Sequence, residues 1–250
     1  MSALEGAYRE AARILKRTPA VALTGAGVSV ASGIPDFRSP GGLWSRHDPA
    51  EVASLQALRT NPAAVWRFMA EAYDMFAAAL PNPAHLALAA MEREGLVSAV
   101  VTQNIDSLHQ RAGSREVVEF HGNGARCRCM RCAREGDASA AYGAAREGRV
   151  PLCGECGGTL RPDVVFFGEG IPPQALRRTE ELVRFAECIL VVGTSGEVMP
   201  ANTLPYRIKN SGGFVIEINL GPTGYAGLPD IRFDAPAEVV LPHLYECSVS

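Results

Sequence analysis

The sequence predicts an α/β fold, a doubly wound parallel sheet interrupted by two inserts, one helical and one rich in cysteine. Three observations predict it. Short apolar runs of β type recur at Val21–Leu23, Val97–Thr102, Val117–Phe120, Ile189–Val192 and Phe214–Ile218, with helical patterns between several of them; such alternation builds a parallel sheet covered on both faces. Every run ends in glycine or polar residues, and open α/β sheets bind ligands outside the carboxyl ends of their strands. Five strand ends are therefore expected to meet at one crevice. Finally, segments 35–83 and 122–161 break the alternation.

The 250 residues, 47% hydrophobic and 20% charged, describe a globular chain long enough to bury a full core. A net charge of −3 gives no electrostatic case for nucleic acid, and no direct nucleic-acid binding is expected. Lys16 and Lys209 are the only lysines; with abundant alanine, this looks like codon bias. The N-terminal segment carries Ala3, Leu4, Tyr8, Ala11, Ala12 and Leu15 at helical spacing, with two acids among them, and is not read as a signal peptide. The longest apolar runs, such as Cys188–Val192, are strand-sized. A cytoplasmic protein without membrane contact is expected.

The first strand, Ala20-Val21-Ala22-Leu23, leads into GAGVSVASGIPDFRS, Gly25–Ser39. Glycines at a strand end let backbone N–H groups approach a phosphate closely. Gly25 and Gly27 fit the ordinary dinucleotide fingerprint, but its third glycine position is Val30, and no acid ends a second strand. The loop runs instead into Ile34-Pro35-Asp36-Phe37-Arg38, which points to a cofactor that is worked on rather than merely held. The helical insert follows, from the loop Gly41-Gly42-Leu43-Trp44 through alanine-rich helices between Pro49 and Leu80 to Pro81-Asn82-Pro83.

After the strand Val97–Thr102, Gln103-Asn104-Ile105-Asp106 brings an amide pair and an acid that can grip a carboxamide and a ribose. The same residues can instead cap a helix running through Leu108 and Gln110. His121 is the only one of five histidines at the carboxyl end of a predicted strand, and so a candidate general base. His85 and His109 read as satisfied, partly buried helix residues, His47 and His243 as surface ones.

Cys129-Met130-Arg131-Cys132 and Cys153-Gly154-Glu155-Cys156, separated by the twenty residues 133–152, have the spacing of a four-cysteine structural zinc site. In a cytosolic chain such pairs argue for metal over disulfides. Gly157-Gly158 permits the tight turn of a zinc knuckle. Four thiolates leave no open coordination position, so the metal is structural. Binding of this type is worth on the order of 10 kcal/mol, enough to hold an insert that lacks a core of its own. Cys127 also lies at an allowed distance from Cys132, but choosing Cys129 makes the two knuckles match. His121, eight residues before Cys129, is not needed as a ligand, and Cys127, Cys188 and Cys247 read as plain thiols.

Gly193-Thr194-Ser195-Gly196 suits a second phosphate or ribose contact, and Asn219 an adenosine ribose. Taken singly, each is equally an ordinary turn.

Together, GAGVSVASGIPDFRS, GGLW, PNPAH, TQNID, HG, CMRC with CGEC, RPDVVFFGE, GTSGEVMPA and INL stand in the order found in sirtuins, from Ala20 to beyond Asn219. The chain resembles a bacterial or archaeal single-domain sirtuin, an NAD-dependent protein deacylase. The resemblance implies a Rossmann-like doubly wound parallel sheet with a small zinc-binding module and a helical insert. The NAD-binding domain would comprise residues 1–34, 84–121 and 162–250, the cofactor loop and helical insert 35–83, and the zinc-binding module 122–161. NAD would be consumed as co-substrate, and acyl-lysine proteins or peptides would be the partners. The acyl-lysine carbonyl oxygen would attack the nicotinamide ribose C1′, nicotinamide would leave, and His121 would act as base on the ribose hydroxyls. Asn104 would position the ribose or a water. Gly25, Ala26 and Ser195 would hold phosphates, and Asp36, Phe37 and Arg38 would lie on the mobile cofactor loop. Ile105 and Asp106 would receive the carboxamide, and Asn219 the adenosine ribose. Ser29, Trp44, Gln103, Gly193, Thr194 and Leu220 complete the implied cofactor contacts. Val165, Phe166, Phe167, Gly168 and Glu169 would form one side of the substrate cleft, with Val198 near the other, and an extended peptide would lie between the two parts by β-strand addition.

Sirtuins that prefer succinyl or malonyl groups carry a tyrosine and, three residues on, an arginine in the helical insert; here those positions are Met69 and Ala72. An acyl carboxylate would be buried without a cationic partner, which is costly, so neutral acyl groups are expected. Glu197 stands where apolar residues are common, and would favour basic residues beside the target lysine. The competing readings are a mono-ADP-ribosyltransferase using the same NAD site, and a non-enzymatic NAD-binding regulator, against which Asn104, Asp106 and His121 speak.

Overall fold

The computed structural model describes residues 3–36 and 41–250. Six parallel strands form the main sheet: β1 (Ala20–Thr24), β2 (Val97–Thr102), β3 (Val117–Glu119), β7 (Cys188–Val192), β8 (Phe214–Ile218) and β9 (Ile231–Phe233). Their order is β3-β2-β1-β7-β8-β9. The chain winds outward from β1 to β3, then returns to the other side of β1 and winds outward again. The reversal leaves the switch point, where open sheets bind ligands, between the ends of β1 and β7. The sequence pattern anticipated five of these strands; β9 has only three residues and no apolar run to announce it.

Strand side chains alternate between two cores, which is why β1 and β7 are buried throughout and apolar up to Thr24 at the end of β1. Ala20, Ala22, Leu190, Val192 and Ile216 pack under α1 (Ala3–Arg17), α5 (Pro83–Arg93) and α10 (Ala237–Val249). Val21, Leu23, Ile189, Val191 and Val215 pack on the other face, under α8 (Pro173–Phe185) and α9 (Leu204–Asn210).

The two inserts form one body with a common core. The first supplies α2 (Pro49–Val52), α3 (Leu55–Thr60) and α4 (Pro62–Ala78); α6 (Leu108–Arg111) lies between β2 and β3. The second supplies β4 (Gly122–Cys129), β5 (Glu135–Asp137) and α7 (Ser139–Arg146), and its sheet has the order β5-β4-β6, with β6 at Leu160–Val164. Val65, Trp66, Phe68 and Met69 of α4 pack with Ala141, Tyr142 and Ala145 of α7. Trp66 is fully buried, and its Nε1–H donates to Leu160 O at 2.8 Å. Tyr142 lies edge-on to Trp66, stacks on Tyr73 at 4.2 Å, and donates from its hydroxyl to Gly124 O at 2.6 Å. The cysteine segment, expected to lack a core of its own and to need a metal staple, shares a core with α4. β6 straddles position 162, where the last Rossmann-like segment was expected to begin, and pairs with β4 from Leu160 to Val164.

Candidate active site

The loop after β1 and the loop after β7 touch at the switch point. A Cβ on Gly25 would lie 2.7 Å from Thr194 Cβ, and one on Gly193 would lie 2.3 Å from Val28 N. Gly27 N–H donates to Gly193 O at 2.8 Å and Gly25 N–H to Val192 O at 3.1 Å. The glycines thus serve the close approach of two loops, and both loops open onto a single cleft of about 980 Å³ between the large sheet and the insert body.

All the described residues expected at the cofactor and substrate positions line this cleft: Gly25, Ala26, Ser29, Asp36, Trp44, Gln103–Asp106, His121, Val165–Glu169, Gly193–Ser195, Val198, Asn219 and Leu220. Phe37 and Arg38 lie outside the described residues. The sequence reading missed Leu43 and Phe76, which add apolar wall beside Phe68 and Met69, and Thr223 and Pro236–Glu238, which close the end nearest Asn219. Leu43 belongs to the GGLW loop, of which the sequence reading took only Trp44; the others come from segments without a motif, and only the packing reveals them.

His121 Nδ1 lies 3.1 Å from Gln103 O. A carbonyl only accepts, so Nδ1 carries the proton and Nε2 is left with its lone pair free. Burial lowers the His121 pKa below the ordinary 6.5, outweighing the bond to Gln103. The imidazole is therefore neutral at neutral pH, the state a general base requires.

Of the two candidates for capping, only Asp106 bonds to the start of α6, and both residues line the cleft. Asp106 Oδ1 caps α6 by accepting from Leu108 N at 2.9 Å, while Oδ2 accepts from the Ser29 hydroxyl at 2.7 Å. Asn104 Nδ2 donates to Gly25 O at 3.1 Å and to Ser29 Oγ at 3.2 Å. Burial raises the Asp106 pKa despite its bonds from Leu108 and Ser29. Gln103 Nε2 donates to Thr194 Oγ1 at 3.0 Å, tying the β2 loop to the β7 loop.

Behind this layer the structure corrects the reading of two histidines. His85 and His109 are fully buried, with rings 4.8 Å apart. His85 Nδ1 accepts from Asn82 N at 3.4 Å, which turns its Nε2 toward Ser29 Oγ, 3.5 Å away. His109 Nε2 meets Thr24 Oγ1 at 2.9 Å, but its Nδ1 has no hydrogen-bond partner among the described residues. Desolvation holds His85 down to about 4 and His109 well below 6.5.

The substrate-side residues are held from below. Val165 N–H donates to His121 O at 2.9 Å, and Phe167 exchanges backbone bonds with Ala53 and Leu55 at 2.8 and 3.0 Å. Glu169 lines the cleft, but its carboxylate is taken by Arg161 and by Phe166 N–H. Burial works against that carboxylate's ionisation, yet the Arg161 fork and the Phe166 N–H hold its pKa below the usual range.

Apart from the cleft, Cys129, Cys132, Cys153 and Cys156 place their sulfurs within 4.8 Å of one another. The Cys129–Cys156 and Cys132–Cys153 separations are 3.5 and 3.8 Å. A tetrahedron with zinc–sulfur bonds of about 2.3 Å has edges near ~3.8 Å, so the donor set fits zinc. Backbone N–H groups of Cys132 and Arg131 point at Cys129 Sγ and lower its thiol to about 6, the thiolate form a metal needs. A Cβ on Gly158 would lie 3.0 Å from Cys129 Sγ. Cys127 faces away, with its Sγ 3.5 Å from Asp137 O.

The cleft also fits a dinucleotide: two glycine loops pressed together at one end, and the amides and hydroxyls of Gln103, Asn104, Thr194, Ser195, Asn219 and Thr223 around its wall. The Sir2 family profile matches residues 25–200. An NAD-dependent protein deacylase of Pyrococcus furiosus is 43% identical over 243 residues, covering 95% of this chain and 96% of that one. An NAD-dependent protein deacetylase of Caldivirga maquilingensis is 45% identical over 239 residues, with 95% and 92% covered. A solved Sir2 variant holding a deacetylated peptide and 3′-O-acetyl ADP-ribose superposes with a TM-score of 0.91 at 37% identity, covering 95% and 97%. A Sir2 homologue bound to NAD superposes at 0.88 and 40%, covering 95% and 92%.

Proposed function

The chain belongs to the Sir2 family, and from that premise we propose that it is an NAD-dependent protein-lysine deacylase acting on neutral acyl groups, chiefly acetyl. The reaction consumes NAD and acyl-lysine and yields nicotinamide, free lysine and O-acyl-ADP-ribose. The observation that carries the reading is the His121 tautomer: Nδ1–H is held by Gln103 O, and a basic Nε2 is left in the cleft that Asn104 and Asp106 also face. His121 takes a proton from a ribose hydroxyl. Asn104, locked by Gly25 O and Ser29 Oγ, orients the ribose or a water. Asp106 and Ile105 receive the carboxamide, Gly25, Ala26 and Ser195 the phosphates, and Asn219 the adenosine ribose.

The extended segment Val165–Gly168 and the loop at Val198 take the peptide between them, and the apolar wall of Phe68, Met69, Phe76, Val165 and Phe166 surrounds the acyl-lysine. Met69 and Ala72 are both buried and offer no cation to an acyl carboxylate. Glu197 on the exposed rim favours basic residues beside the lysine. The acetyl-ADP-ribose product in the Sir2 neighbour favours deacylation over transfer of ADP-ribose to protein. No helix among the described residues is long and apolar enough to cross a membrane, which accords with action in the cytoplasm. The test is nicotinamide release from NAD with acetyl- and succinyl-peptides. The acetyl peptide is expected to turn over faster, and faster turnover of the succinyl peptide would refute the specificity.

A further inference from the structure

We infer that Arg161, which does not line the cleft, is a positioning residue that sets the peptide-binding segment Val165–Gly168; this rests on the assignment of that segment to the substrate. Arg161 lies in β6 and is 8% exposed. Its guanidinium grips both oxygens of Glu169, at 2.5 and 2.7 Å. The same group donates to Val164 O at 2.7 Å and, from Nε, to Pro162 O at 3.2 Å. Its Cζ lies 5.0 Å from the centroid of the Phe166 ring. Glu169 Oε2 in turn accepts from Phe166 N at 3.0 Å.

One planar cation thus bonds to the residues flanking the segment on either side, Val164 and Glu169, and covers the Phe166 ring within it. The backbone between turns at Gly168, with φ +89°, and outside the clamp it is held by the backbone bonds of Val165 to His121 and of Phe167 to Ala53 and Leu55. A lysine carries the same charge but not the fork: it cannot meet both Glu169 oxygens and two carbonyls at once. The loops around Gly25, Ser195 and Asn219 have separate anchors. Loosening the clamp therefore acts on the peptide side of the cleft and spares the nucleotide side.

The experiment compares wild type, Arg161→Lys and the double variant Arg161→Met/Glu169→Met, measuring KM for acetyl-peptide, KM for NAD, kcat, zinc content and thermal midpoint. The double variant removes both paired charges together, where a single truncation would strand one. Misplacement of substrate contacts by a fraction of an ångström is expected to raise the peptide KM about tenfold in both variants. KM for NAD and zinc content should stay within about twofold of wild type. A folded double variant with wild-type peptide KM overturns the inference, because the pair would then be merely structural. Variants that lose zinc or the thermal transition overturn it as well. A wild type that releases no nicotinamide refutes the deacylase assignment itself, and is read before any variant.

Discussion

Lowering the pH from 7 to 5 should destabilise the protein through His85, and His85→Gln should remove that part of the loss. His85 is buried against Ser29 and His109, and desolvation holds its pKa at about 4, against 6.5 in the unfolded chain. The folded pKa is depressed, so the unfolded state binds the proton first. Stability is full above pH 6.5, falls as pH drops, and levels off below the folded value. The span of 6.5 to about 4 gives a total loss of roughly 3 kcal/mol, of which about 2 kcal/mol is already lost at pH 5. His109 and His121 are shifted in the same direction and add to the slope. Asp106 acts oppositely: its raised carboxyl makes the fold take up a proton before the unfolded chain does, which adds stability as pH falls through its folded value. Acid also releases metal from thiolates, so the comparison must be between variant and parent. Urea unfolding at pH 7 and pH 5 supplies it. The parent should lose about 2 kcal/mol more than His85→Gln between those values. Equal losses would show that the His85 ring is not held neutral by the fold, and would refute the reasoning.

His121→Ala should lower kcat by about 10²–10⁴-fold with the thermal midpoint unchanged; retained activity would exclude it as base. In the wild type the acid limb of the kcat profile should fall below pH 6.5, since His121 must be neutral to act and burial depresses its pKa. Elemental analysis should find one zinc per chain, and Cys153→Ser should lose the metal, with destabilisation on the order of 10 kcal/mol; an unchanged thermal midpoint would leave the four cysteines without a structural role. Trp66→Ala should cost about 3–5 kcal/mol, since it empties the shared core and strands Leu160 O, readable as a fall in Tm of roughly 10 °C.

The site was legible where its residues sit next to a strand. Gln103-Asn104-Ile105-Asp106, His121 and Gly193-Thr194-Ser195 each follow a short apolar run, and parallel topology carries all of them to one edge of the sheet. The zinc ligands were legible for a similar reason, since two short knuckles encode their own geometry. The partners of these residues were not legible. Ser29 meets Asp106 across 77 positions, His109 meets Thr24 across 85, and Trp66 reaches Leu160 across 94. No local period signals such pairs.

The sequence by itself determined the α/β class, the strand ends that carry chemistry, the family and the metal-binding spacing, because periodicity, turn chemistry and motif spacing are properties of neighbouring residues. Tertiary structure alone decided that the two inserts share one core around Trp66 and Tyr142, that Asp106 both caps a helix and holds Ser29, and which ring nitrogen of His121 stays basic. It also decided that Glu169 answers to Arg161 from beneath the cleft. Each of these depends on burial and on which distant group lies within about 3 Å of another, and only the folded chain fixes those distances.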